Sequence, residues 1–141
     1  MEPAFKYLSQ IVQPTDLHKF SVKELQELAA EVRRAILENV SRTGGHFSSN
    51  LGTVELTVAL YATYSIPPDK VVWDTGHQAY THKLLTGRLD RFQTLRKHKG
   101  LSGFLRREEH PLDIFGAGHA GTAISAALGF AIARDKLATK E

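Results

Sequence analysis

The sequence has no cysteine, and only one methionine and one tryptophan among its 141 residues. The missing thiols exclude disulfides, thiolate nucleophiles and cysteine-based metal sites, which leaves histidines, carboxylates, hydroxyls or a bound cofactor to carry any chemistry. No apolar run approaches the ~20 residues that a membrane-spanning helix needs, so the chain is expected to stay out of the bilayer. Its first residues mix acidic, basic and aromatic side chains without the basic-then-apolar order of a secretory leader, and a cytoplasmic location is the expectation. Neither H-E-x-x-H nor a pair of histidines at i, i+4 occurs, and G-x-S-x-G is absent. A metal site built by this chain alone and a serine-hydrolase elbow are therefore not expected. A strong excess of one charge sign is also missing: 18 Lys and Arg face 15 Asp and Glu, for a net charge of +3. The densest basic stretch, residues 91–99, reads as the solvated face of a helix-like segment, so nucleic acid is not an expected partner.

What is present begins with a helix. Ser21-Val22-Lys23-Glu24 is a capping box, with Phe20 and Leu25 placed to staple across it. Leu25, Leu28, Ala29, Val32, Ile36 and Val40 then recur at helical spacing, which predicts a helix ending near Ser41 with one buried stripe. A second helix, about residues 53–64, carries apolar residues around most of its circumference and is expected to be buried on several sides. Val71, Val72 and Trp73 read as a short buried strand. Two further helical stretches lead to Gly87 and Gly100, and residues 101–115 are irregular or contain short strands. A small-residue helix, about 120–137, is expected to turn Ile124, Leu128 and Ile132 toward a core. One strand among helices cannot make a sheet, and an α/β chain would turn back into another strand after Lys140-Glu141. The physical reading is an α/β domain cut short.

Three histidines follow a glycine beside the end of an expected helix or strand: Gly45-His46, Gly76-His77 and Gly118-His119. Helix amino termini carry free N–H groups and partial positive charge, so a diphosphate is a reasonable ligand for such loops. Any one of these pairs alone is as well explained by chance.

Longer strings are more specific. Arg42-Thr43-Gly44-Gly45-His46-Phe47-Ser48-Ser49-Asn50-Leu51-Gly52, Val72-Trp73-Asp74-Thr75-Gly76-His77-Gln78-Ala79-Tyr80-Thr81-His82-Lys83, Leu85-Thr86-Gly87-Arg88, Gly100-Leu101-Ser102-Gly103-Phe104 and the run 116–135 together resemble the 1-deoxy-D-xylulose-5-phosphate synthase family. The resemblance covers nearly everything from Asp16 onward. It implies a parallel-sheet α/β thiamine-diphosphate-binding fold, of which residues 1–141 would be the helix-rich amino-terminal part. It also implies a transferase that condenses pyruvate, with loss of carbon dioxide, onto glyceraldehyde 3-phosphate, feeding isoprenoid, thiamine and pyridoxal synthesis. His46 matches an active-site histidine near the reacting carbon. His77, Gly118, His119 and Ala120 match positions at the cofactor, Ser49 and Asn50 extend the first loop, and Asp74 is expected to cap or position the strand end instead of reacting. No metal ligand is expected within the chain, since the family's Mg²⁺-binding residues would follow Glu141, and the parent would be a homodimer. Ala120-Gly121 stands where the family often has two serines, and Ser48 where glycine or alanine is common. The fragment by itself is expected to be inactive. The alternatives are the corresponding part of another transketolase-like enzyme, or a non-catalytic remnant that associates with a full-length synthase.

Overall fold

The computed structural model describes residues 5–116 and 118–139; residues 1–4, Ala117 and the Lys140-Glu141 end lie outside the described set. Helix α1, Val22–Thr43, starts where the capping box places it. The Ser21 N–H donates to Glu24 Oε2 at 2.8 Å and the Glu24 N–H to Ser21 Oγ at 3.4 Å, so each residue satisfies an end donor of the other. The helix stops at Gly44, whose φ of 70° lies in the left-handed region that glycine enters without penalty. Its buried stripe is Leu28, Ala29, Val32, Ala35, Ile36 and Val40. Removing such aliphatic side chains from water stabilises a fold by about 1.5–3 kcal/mol for each of the larger ones.

Against α1 lie the short helix α2, Ser48–Leu51, and helix α3, Val54–Thr63. Arg33 of α1 pins α3 through paired 2.7 Å bonds to Glu55. The amino-terminal segment is docked by Glu31, whose carboxylate accepts the N–H groups of Lys6, Tyr7 and Leu8 at 2.7–2.9 Å. These donors open a 3-10 turn at Leu8–Gln10, where free N–H groups favour an anion. A second 3-10 turn, Pro14–Lys19, packs on α3. Helix α4, Tyr80–Leu85, is buried along its whole length and leads into the 3-10 turn Leu89–Thr94. The main core joins Leu28, Val32 and Ile36 to Val58, Tyr61, Leu84, Leu85, Phe92 and Leu101. A smaller cluster is made by Trp73, Ala79 and Leu105.

Three expectations are corrected here. Helix α3 is buried on one side only: Val54, Thr57, Val58 and Tyr61 are inside, but Leu56 is 58% exposed. Residues 71–73 form no strand, and no strand occurs among the described residues, so the expected parallel sheet is not present among them. A strand is defined by its partners, and here Val71 and Val72 instead line an open groove of about 500 Å³ between Leu60 of α3, Tyr64 just after it, and the last helix. That helix, α5, spans Ala123–Leu137. Ile124, Leu128 and Ile132, expected in a core, are 79%, 59% and 46% exposed, because among the described residues no layer covers that face.

Candidate active site

Two of the three glycine-histidine loops meet. The His46 and His77 rings stand edge to face with centroids 5.3 Å apart, both half-buried. Asn50, the one fully buried residue of α2, brings them together. Its Nδ2 donates to the carbonyl oxygens of His46 at 2.7 Å and His77 at 2.8 Å, while its Oδ1 accepts the Tyr80 N–H at 2.8 Å. One amide thus cross-links both loops to the start of α4, with its hydrogen-bonding capacity spent on backbone that would otherwise lack partners. Thr53 adds a bond to the carbonyl of Gln78 at 3.0 Å.

The local sequence makes this approach possible. A Cβ on Gly45 would sit 2.7 Å from Tyr80 Oη, and the φ of 144° at that position is one L side chains rarely adopt. With glycine there, the His46 N–H reaches Tyr80 Oη at 3.2 Å, and His46 Nδ1 lies 3.5 Å from the same oxygen. Phe104 closes the other side, its ring centroid 5.3 Å from that of His46. Burial lowers the His46 pKa, and the neighbouring His77 and Arg96 lower it further. A neutral imidazole that can still take up a proton suits general acid–base work near neutral pH.

The third loop is tied to the second without joining the ring pair. Asp74 Oδ1 accepts the Gly121 N–H at 2.8 Å. Gly118, His119 and Ala120 are exposed, and the His119 carbonyl accepts from Thr122 Oγ1 at 3.2 Å. Ser49 is half-buried on α2, where its carbonyl accepts from Thr53 Oγ1 at 3.4 Å.

Sequence reasoning did not single out Tyr80 and Phe104 as site walls, although both lie in the strings that carry the resemblance. It also read residues 91–99 only as a solvated face. Phe92 and Leu95 of this stretch are buried in the core, its charged residues are solvated, and Arg96, Lys97 and Lys99 line, with Arg106, His46 and Phe104, a cavity of about 430 Å³. Missed altogether was a buried cluster behind the site, in which His82, Lys83, Arg88, Glu109 and Asp113 converge. Burial pushes the His82 imidazole down to about 4, so it is neutral at ordinary pH. The Nε2–H then donates to Asp113 Oδ1 at 2.8 Å, and Nδ1 accepts from the Tyr61 hydroxyl. Burial alone would raise the Asp113 carboxyl, but hydrogen bonds from His82 and Arg88 outweigh it and hold the group well below the usual carboxylate range. Burial also lowers Lys83, against its bond to Glu109.

Two observations bear on whether the site fits an organic cofactor. Gln78, next to His77, has a buried Oε1 with no hydrogen-bond partner, an acceptor suited to a ligand N–H. Gly118 and Gly121 face open space, with nothing within 4 Å of where a Cβ would stand. A metal is different: among the described residues no group of three or more His, Cys, Asp or Glu side chains is placed to hold an ion. No helix among them is long and apolar enough to cross a membrane.

Residues 8–141 match the family model described as 1-deoxy-D-xylulose-5-phosphate synthase. Proteins of that name from Thermomicrobium roseum and Syntrophotalea carbinolica are 63% and 59% identical over 128 residues, covering 90% and 91% of this chain. One from Chlorobaculum tepidum is 55% identical over 138 residues, 98% of the chain. The chain spans 20–22% of the length of these relatives.

Proposed function

The chain belongs to the 1-deoxy-D-xylulose-5-phosphate synthase family, and from that premise we propose that it supplies the His46–His77 wall of a thiamine-diphosphate site in a decarboxylating transferase. The reaction joins pyruvate to glyceraldehyde 3-phosphate and gives 1-deoxy-D-xylulose 5-phosphate, a precursor for isoprenoid, thiamine and pyridoxal synthesis. The observation that carries the reading is the pairing of His46 and His77 through Asn50. When bound, the cofactor supplies the nucleophilic carbon and the electron sink that pyruvate decarboxylation requires.

The chain's own residues do the rest. His77 and Gln78 offer the cofactor hydrogen-bonding groups, with Ser49 and the Gly118, His119 and Ala120 segment beside it. His46, its pKa lowered first by burial and further by the neighbouring His77 and Arg96, takes up or returns a proton at the reacting carbon. Phe104 and Tyr80 pack beside its ring. Arg96, Lys97, Lys99 and Arg106 make the adjoining cavity electropositive, which suits substrates that carry a carboxylate or a phosphate. The ligands of Mg²⁺ are proposed to lie outside the described residues. The working enzyme is proposed to be a cytoplasmic homodimer.

The test is an assay of the full-length protein with thiamine diphosphate, Mg²⁺, pyruvate and glyceraldehyde 3-phosphate, read by product mass. A pentulose phosphate with loss of carbon dioxide is expected; its absence, with the cofactor demonstrably bound, would contradict the assignment. The 141-residue chain alone is expected to give no product.

A further inference from the structure

The side chains of His82, Lys83, Arg88, Glu109 and Asp113, none of which touches the His46 ring pair, are between 0% and 8% exposed. Lys83 donates to Glu109 Oε1, and Arg88 reaches the same oxygen at 2.8 Å. Arg88 also forks onto Asp113, at 3.0 Å to Oδ2 and 2.9 Å to Oδ1. Burying so much charge is expensive, and apolar side chains of similar volume often give an equally stable interior, so stability alone is a weak reason for the cluster.

The remaining carboxylate lone pairs point to one loop. Glu109 Oε2 accepts the Ser102 N–H at 2.7 Å, and Asp113 Oδ2 accepts the Arg106 N–H at 3.2 Å. These two bonds bracket residues 103–105. Within the bracket, Leu105 is buried against Trp73 and Ala79, and Phe104 stands 5.3 Å from His46. Arg96 joins the same loop through its N–H, which donates to the Leu101 carbonyl at 2.7 Å. The other neighbours of His46 are fixed differently, since Asn50 and not the cluster holds the His77 loop and the Tyr80 backbone.

We infer that the buried cluster is a positioning device for His46. Lys83 in α4 and Arg88 just beyond it hold two carboxylates, and those carboxylates set the loop that presses Phe104 against the imidazole. The five residues are positioning residues that touch no substrate. The consequence for turnover rests on the function proposed above; the placement of Phe104 does not.

The test reads the His46 imidazole directly, by NMR titration of the full-length protein labelled at histidine, with the resonance assigned by its loss in His46→Ala. The charged or titratable groups around that ring are His77, Arg96 and Tyr80, with Lys97, Lys99 and Arg106 lining the cavity it shares. Glu109→Gln keeps the shape but gives up the charge that gathers Lys83, Arg88 and the Ser102 N–H. It is expected to shift the His46 titration upward as the Phe104 wall loosens and water reaches the ring. Phe104→Ala should shift it in the same direction, and the double variant no further than the larger single effect, because both act through one contact. A lowered melting temperature with His46 titrating as in the parent would make the cluster structural only and overturn the inference. If Glu109→Gln does not fold, Arg88→Lys, which keeps the charge but loses the fork, decides the question with Phe104→Ala, and an unmoved His46 in both overturns it. Absence of turnover in the unmutated protein would count against the proposed function and leave this readout intact.

Discussion

Two histidines of this chain, His46 and His82, occupy opposite kinds of environment. His82 is shut inside, with both ring nitrogens engaged, by Tyr61 on one side and Asp113 on the other. His46 has its backbone fixed by Tyr80 and Asn50, while its ring is only half-buried and meets its neighbours edge on. Saturated bonding with full burial makes a histidine part of the framework. A fixed backbone with a ring left free to exchange protons makes one available for chemistry. The contrast also separates costs: substitution at His46 should damage turnover, and substitution around His82 should damage the fold.

The largest expected effect breaks that contrast if it fails. In the full-length protein, His46→Ala should lower kcat and kcat/KM by similar factors, about a hundredfold to ten-thousandfold, with the melting temperature unchanged. A wild-type kcat with only a raised KM would make His46 a substrate-positioning residue. On the other side, Arg88→Met should destabilise the protein by about 3–5 kcal/mol in denaturant titrations, because it leaves Asp113 buried with uncompensated charge and Glu109 with Lys83 alone. A loss below about 1 kcal/mol, the scale of an exposed ion pair, would mean the cluster is wetter than its burial indicates.

Acid unfolding sharpens the comparison further. His82 takes up a proton near 6.5 when unfolded but only near 4 when folded. Between these values the unfolded chain binds more protons, so stability falls as pH drops from about 6.5 to about 4, by up to ~3 kcal/mol from this group. Burial also holds His46 and His110 down, and they add to the same slope. The decisive quantity is therefore the difference between parent and His82→Gln in stability against pH, and His82→Gln should show the shallower fall. Equal slopes would mean that His82 is not kept neutral by the fold.

Much of this was legible in the sequence where the signal is local. The capping box at Ser21 and the stripe from Leu28 to Val40 are written in neighbouring residues and stand in the structure where they were expected, while the helix runs past its expected end near Ser41 to Thr43 before Gly44 stops it. The pairing of His46 with His77 was signalled by two glycine-histidine loops, but nothing local reveals that Asn50 bonds to both. The buried cluster was illegible because Lys83 and Arg88 are separated by more than twenty residues from Glu109 and Asp113, and each looks like an ordinary surface charge in its own window. The apolar positions of α5 were read correctly as apolar. Their partners are not among the described residues, so periodicity pointed Ile124, Leu128 and Ile132 at a core that those residues do not provide.

The central claim, that His46 and His77 face a bound cofactor while His82 serves the framework, is tested most directly by thiamine-diphosphate titration of the full-length protein, parent against His77→Ala and His82→Gln. His77→Ala is expected to bind about tenfold more weakly, the scale of one lost hydrogen bond, with an unchanged melting temperature without ligand. Folded His82→Gln is expected to retain the parent's affinity. Parent-like affinity in His77→Ala would contradict the assignment of the paired histidines to the cofactor.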